Sequence, residues 1–212
     1  MKHVRMKKII MVLMISCLLL TGCGILKGEV VTVNPLPDTT MENLTDAILS
    51  VSLEKGDAYV DDTGKMQMDL QIYSFDKYDM VAVSVLEKGN RIVTHDGEVK
   101  IKSMERNAEG AIQINGGAAK GGITLVTDDS GIFYAVDQNG AKIWHAVGEA
   151  TIRVSVDFMG YDNIDPELGE VILYPGSFLI NEVTNYNFTP YNTTIRVEDG
   201  QIVEMHRAYI ID

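Results

Sequence analysis

Cysteine is almost missing from this chain. Of 212 residues, only Cys17 and Cys23 carry a thiol. Nothing from Gly24 onward can therefore form a disulfide, a thiolate zinc site or a cysteine nucleophile. The body must stand on its core, and the roughly 190 residues from Cys23 on are enough for one. Positive charge is also short: 18 Lys+Arg face 30 Asp+Glu, a formal net charge of −12. Such a field repels phosphate backbones and anionic headgroups. This argues against nucleic acid as a partner and leaves cations or cationic polymers. Long apolar runs are absent. The longest, Ile9 to Leu20, is 12 residues, where a helix needs ~20 to cross a bilayer. There is no Gly-x-Ser-x-Gly elbow, no His-x-His, no His-Glu-x-x-His and no Walker loop. No cofactor is expected.

What is present begins at the front. Lys2, Arg5, Lys7 and Lys8 make a positive start, the apolar run follows, and it ends in Leu20-Thr21-Gly22-Cys23. This resembles the signal peptide and lipobox of a bacterial membrane lipoprotein: Leu, two small residues, then Cys. The resemblance covers residues 1–23. It implies removal of residues 1–22 and a diacylglyceryl group, with acyl chains such as palmitate, on the Cys23 sulfur. It also implies an extracytoplasmic protein anchored to a cell membrane or an outer membrane. Gly24 follows the lipidated Cys where an inner-membrane lipoprotein can carry Asp, which favours an outer membrane in a cell that has one. Loss of the leader's four bases lowers the formal charge by four, from −12 to −16.

Residues 23–38 read as the lipidated Cys and a tether, with Gly24, Gly28, Pro35 and Pro37. Extended, such a tether reaches on the order of 45 Å at ~3.3 Å per residue. Val30-Val31-Thr32-Val33 could instead add an edge strand to the body. Residues 39–212 read as a single β-rich domain. Thr39 and Glu42 have capping-box spacing, and Met41, Leu44, Ile48 and Val51 fall near helical spacing, which predicts a short helix over 40–52.

From Ala58 on, the period is two. Met66, Met68, Leu70 and Ile72 alternate with polar neighbours, as do Ile152, Val154, Val156 and Phe158. Further strands are expected at 80–86, 91–94, 98–104, 111–114, 123–127, 132–136, 141–146, 170–173, 177–180, 193–198 and 201–210. Turn signals such as Asp62-Thr63-Gly64, Asp129-Ser130-Gly131, Asn139-Gly140 and Asp199-Gly200 separate them. The fold class is mainly β, an antiparallel β-sandwich or barrel with one short N-terminal helix. For the last hairpin, an apolar face requires Ile195 to avoid Glu204, which predicts a three-residue loop with Gly200 at positive φ and puts Ile195 and Val197 on one face with Val203 and Met205.

Candidate chemistry is thin. Acidic turns at 61–62, 128–129, 137–140 and 162–167 resemble calcium ligand sets, the best being Asp162, Asp165 and Glu167. The plainer reading is turn chemistry. His95, His145 and His206 have no spacing that puts two on one face, so they read as ordinary turn and strand positions. The Gly116–Gly122 segment reads as a flexible hairpin loop with the option of a mobile lid. Aromatic and amide residues cluster late in the chain. Tyr186, Phe188 and Tyr191, with Trp144 as a further platform, could stack on sugar rings. The expected function is a non-catalytic binding or envelope-associated lipoprotein, its partners the membrane and an envelope polysaccharide or protein. The alternative is a carbohydrate-active hydrolase whose acidic pair the sequence does not reveal.

Overall fold

The structure is a computed structural model that describes residues 30–165, 170–181 and 188–208. The described residues from Val31 on form one compact unit. It is mainly β, and its strands follow in chain order. They are β1 (Thr32–Val33), β2 (Ala47–Ser52), β3 (Ala58–Val60), β4 (Met66–Ser74), β5 (Lys77–Tyr78), β6 (Arg91–Thr94), β7 (Gly97–Lys100) and β8 (Met104–Arg106). Then come β9 (Ile112–Ile114), β10 (Ile123–Thr127), β11 (Phe133–Val136), β12 (His145–Val154), β13 (Gly160–Asp165), β14 (Glu170–Pro175), β15 (Thr193–Glu198) and β16 (Gln201–Ala208).

Two hydrophobic cores organise them. In the largest sheet the order β12-β4-β2-β15-β16 closes on itself, because β16 also pairs with β12. This makes a small barrel, and β13–β14 extends it from β16. Its interior holds Leu49, Val51, Met68, Leu70, Ile72, Ile152, Tyr161, Ile195, Ile202 and Met205. The second core is built mainly from the segment between β4 and β12, to which β1 adds Val33 from before the barrel. There a three-stranded sheet (β1-β6-β7) and a five-stranded sheet (β5-β11-β10-β9-β8) surround Tyr78, Ile92, Ile101, Ile112, Ile114 and Leu125. The second lobe is thus mostly an insertion between two paired barrel strands, with β1 completing one of its sheets. Not all pairs are antiparallel: β1–β6, β12–β16 and β13–β16 run parallel.

The expected N-terminal helix is not there. Thr40–Glu42 makes one 3-10 turn, Thr39 caps nothing with its side chain, and Asp38 Oδ1 accepts from Thr40 N–H at 2.9 Å. Leu49, Val51 and Leu53 are buried with period two while Ile48 is 74% exposed, so burial against the barrel overrides the helical spacing. Two expected strands are helices instead: α1 (Met80–Ser84) and α2 (Gly176–Asn181). The alternating Val81, Val83 and Val85 mimic a strand, but Asp79 caps the turn by accepting from Val81 and Ala82 N–H. Val83 and Leu86, three apart, are the buried pair. The strand expected over 98–104 breaks after Lys100, where the Asn115 side chain takes over the backbone. Its Oδ1 accepts from Lys102 and Ser103, and its Nδ2 donates to Lys100 O. Thr32–Val33 joins the body as the edge strand of the three-stranded sheet, Val33 being buried.

The last hairpin corrects one expectation and keeps another. Ile195 faces Met205, as the apolar pattern requires, but the loop has two residues. Asp199 (φ 49°) and Gly200 (φ 70°) form it, and a bulge between Glu204 and Ile202 restores the register. The buried face is therefore Ile195, Val197, Ile202 and Met205, not Val203. Opposite one another on the outer face, Arg196 Nε donates to Glu204 Oε2 at 2.8 Å. The hydrogen bonds from Arg196 hold the Glu204 carboxyl at about 2, against an ordinary value of 4.5. A lowered folded-state value means the pair's contribution is present above pH 4.5 and is lost as pH falls through about 2. In Arg196→Met, the Glu204 carboxyl 13C titration midpoint is expected to rise toward 4.5. An unmoved midpoint would refute the pairing.

Candidate functional site

The neck between the two lobes gathers side chains that are far apart in the chain. β4 ends at Ser74, β12 begins at His145, and these two residues are paired. Asp76 therefore leaves the barrel beside the point where His145 returns to it. His95 arrives from the inserted lobe. It sits with Asp96 at the tip of the β6–β7 hairpin, where Thr94 pairs with Gly97. One ring nitrogen of each histidine and one carboxylate oxygen of Asp76 lie within 4.8 Å of one another.

The electrostatics are specific. Asp76 is buried, 8% exposed. Its Oδ2 accepts from His95 N–H at 2.8 Å and lies 3.1 Å from His95 Nδ1. The other ring nitrogen, Nε2, is 3.3 Å from Asp96 Oδ2. The His145 ring stacks on His95, with centroids 4.5 Å apart and planes 15° from parallel. His145 Nδ1 is buried and has no hydrogen-bond partner. Asp38 stands close enough to His145 to feel its charge. Burial pushes the Asp38 carboxyl up, but hydrogen bonds from Thr40 and Ser74, with His145 nearby, hold it below its ordinary value. A groove of about 480 Å³ opens here, between the Asn34–Asp38 segment and the Val93–His95 strand end.

Sequence spacing missed this constellation because the insertion creates it. No local pattern joins His95 to His145. The Ser74–His145 register brings Asp76 to His145, and the β6–β7 tip brings His95 to Asp76; both are properties of the folded chain.

The other candidates lie elsewhere. Asp162 pairs with His206, Oδ2 to Nδ1 at 3.1 Å. Asp165 ends β13, a strand paired with both β14 and β16, and not a cation-wrapping loop. Glu167 lies outside the described residues. The remaining acidic turns share one geometry: in Asp61, Asp128 and Asp137, the Oδ1 atom accepts from the backbone N–H four residues on. Asn107 repeats it. Lone pairs used on the turn's own amides are not offered to calcium. The amide of Lys65 leads in holding Asp61 well below the usual carboxylate range, and the Ser130 hydroxyl leads in lowering Asp128.

Trp144 stands edge-on to Phe75 at 5.1 Å, with the Lys142 ammonium 4.2 Å from the Phe75 centroid. Phe188 is 3% exposed inside the barrel core, edge-on to Tyr161, while Tyr191 is 57% exposed. Tyr186 lies outside the described residues. The Gly116–Gly122 segment is closed on itself: Gly122 N–H donates to Gly117 O, and Ala118 N–H donates to Thr124 Oγ1, both at 2.9 Å. A second groove, about 600 Å³, lies on the barrel and is lined by Glu54, Asp57, Asp69, Gln71, Tyr73 and Glu149 among others. Comparison with protein-family models, with curated proteins and with solved structures finds no match to this chain.

Proposed function

We propose that this protein is a lipoprotein, exported and held at the outer face of a membrane by acyl chains on Cys23, whose β body serves as a non-catalytic binding module of the cell envelope. The observation that carries this reading is Leu20-Thr21-Gly22-Cys23 placed directly after a basic start and an apolar run. The physics supports it. Each buried methylene contributes ~0.8 kcal/mol, and two acyl chains hold a protein where one does not. Among the described residues no helix is long and apolar enough to cross a membrane. With Val31 already in the body, the eight steps from Cys23 reach at most ~26 Å at ~3.3 Å each, so the body works close to the headgroups.

The barrel groove favours binding a polar or cationic envelope component. Its carboxylates Glu54, Asp57, Asp69 and Glu149 are exposed or half-buried. A hydrolase would want one carboxyl in an apolar setting that keeps it protonated. Asp69 instead accepts from the Thr151 hydroxyl at 2.6 Å in an open setting.

The test is the mass of the N-terminal peptide of the native protein. It is expected to begin at Cys23 and to carry a diacylglyceryl mass that Cys23→Ala lacks. An unmodified Cys23, or a native chain that still carries its leader, ends the reading.

A further inference from the structure

The geometry at the neck points to a binding site for one divalent transition-metal ion, zinc first among them, held by Asp76, His95 and His145 and tying the two chain crossings of the neck to the β6–β7 turn. The convergence of three donor groups carries the argument, and the buried, unpartnered nitrogen of His145 supports it. Asp76 is already supplied with donors by His95, through the backbone N–H and the ring. A purely hydrogen-bonded cluster would therefore leave His145 Nδ1 buried with nothing to bond, as it is here. A buried polar atom without a partner costs free energy. A cation among the three donors gives the imidazoles and the carboxylate a common partner.

The donor chemistry selects the ion. Two imidazole nitrogens and one carboxylate oxygen suit zinc, copper or nickel, whereas calcium and magnesium want oxygens. Three protein ligands also leave a position open to water or to a ligand from the groove. The surroundings fit as well. If His95 ligates through Nδ1, its Nε2–H points at Asp96 Oδ2, at 3.3 Å, and a carboxylate behind a ligating imidazole fixes its tautomer and raises its basicity. Asp38 adds negative charge beside His145. The net charge of −12 draws cations toward the molecule.

Coordination requires one movement. A tetrahedral ion ~2.1 Å from its ligands sets donors roughly 3.4 Å apart, so donors within 4.8 Å of one another have to close in. Near-parallel rings cannot aim both lone pairs at one point, so one imidazole must turn out of the stack. His95 is the one with room, since it sits on a two-residue turn with its side chain 25% exposed.

This inference rests on side-chain geometry alone and does not depend on the lipid. It is tested on the full chain in detergent, stripped with chelator and titrated with zinc chloride by calorimetry, with Co²⁺ absorption reporting the ligand field. One ion per chain is expected. Each of His95→Gln and His145→Gln is expected to weaken binding at least ~10-fold, and Asp96→Asn ~10-fold as an outer partner. His206→Ala, at the separate Asp162–Glu204 cluster, is expected to leave affinity unchanged. Far-UV circular dichroism identifies any variant that has lost its fold. His95→Gln, on an exposed turn, is the variant that keeps the test decisive. Absence of zinc binding at millimolar concentration overturns the inference. So does binding that survives in folded His95→Gln, or that His206→Ala abolishes.

Discussion

Gly122→Ala is expected to unfold the inserted lobe while the barrel stays folded. A Cβ at Gly122 would stand 2.1 Å from Ile114 O and 2.8 Å from Asn115 O. Both obstacles are backbone, so no rotamer change relieves them. The residue next door, Ile123, pairs with Ile114, and the clash can be relieved only by parting β10 from β9. Leu125 and Ile112 are opposite one another in that ladder and are both buried in the second core. The cost is expected to be roughly 4 kcal/mol or more. The neighbouring glycine provides the control. Gly121 has φ 75° and nothing within 4 Å of a built Cβ, so Gly121→Ala meets only the left-handed backbone penalty, about 1 kcal/mol. Hydrogen exchange reads the difference: amides of β9–β11 should lose protection in Gly122→Ala alone, and those of β2, β15 and β16 should keep it. Equal effects from the two substitutions would show that steric exclusion at Gly122 is not what shapes this turn.

The same pair of glycines shows how far the sequence is legible. Gly121-Gly122 announces a turn but not which glycine supplies freedom of φ and which supplies empty space. Strand identity was readable in Met66–Ser74, Arg91–Thr94, Ile123–Thr127 and Thr193–Glu198, but not in Ala47–Ser52, a half-buried strand whose spacing predicts a helix. It failed where burial does not follow the local pattern. Val81 and Val85 alternate like strand residues, yet they are 68% and 54% exposed, and the decisive contact is the Asp79 side chain on two amides. The hairpin at Asp199-Gly200 was right in setting Ile195 against Met205 and wrong in its loop and in placing Val203 on the buried face, because periodicity says nothing about a bulge. The neck cluster was not legible. Asp76 and His145 lie where the chain leaves and re-enters the barrel and His95 lies on a hairpin tip between them, and only the nesting of one lobe inside another closes the distance.

That nesting makes the two lobes unequal, and Ile72→Ala is the substitution that exposes it. Ile72 is fully buried on β4, opposite Val51 on one side and Gly148 on the other. Removing three carbons from that interior is expected to cost about 3–4 kcal/mol, part transfer and part cavity. Val156→Ala, at a position 84% exposed, should stay within about 0.5 kcal/mol. The larger loss is expected to spread. β4 and β12 are barrel staves and also the two ends of the inserted segment, so loosening their pairing frees both ends of the segment that supplies most of the second core. Damage inside the insertion has no matching route outward, because β4 and β12 remain paired along their length when β10 leaves β9. The single tryptophan, Trp144, lies at the neck against Phe75 and gives a fluorescence signal for it. In urea, Ile72→Ala should lower the Trp144 midpoint and the hydrogen-exchange protection of both cores together. Gly122→Ala should leave the barrel amides at their original midpoint. If instead Ile72→Ala loosened the barrel while β9–β11 kept full protection, the inserted lobe would have to hold its own ends together, and the neck could not be the hinge on which both cores depend.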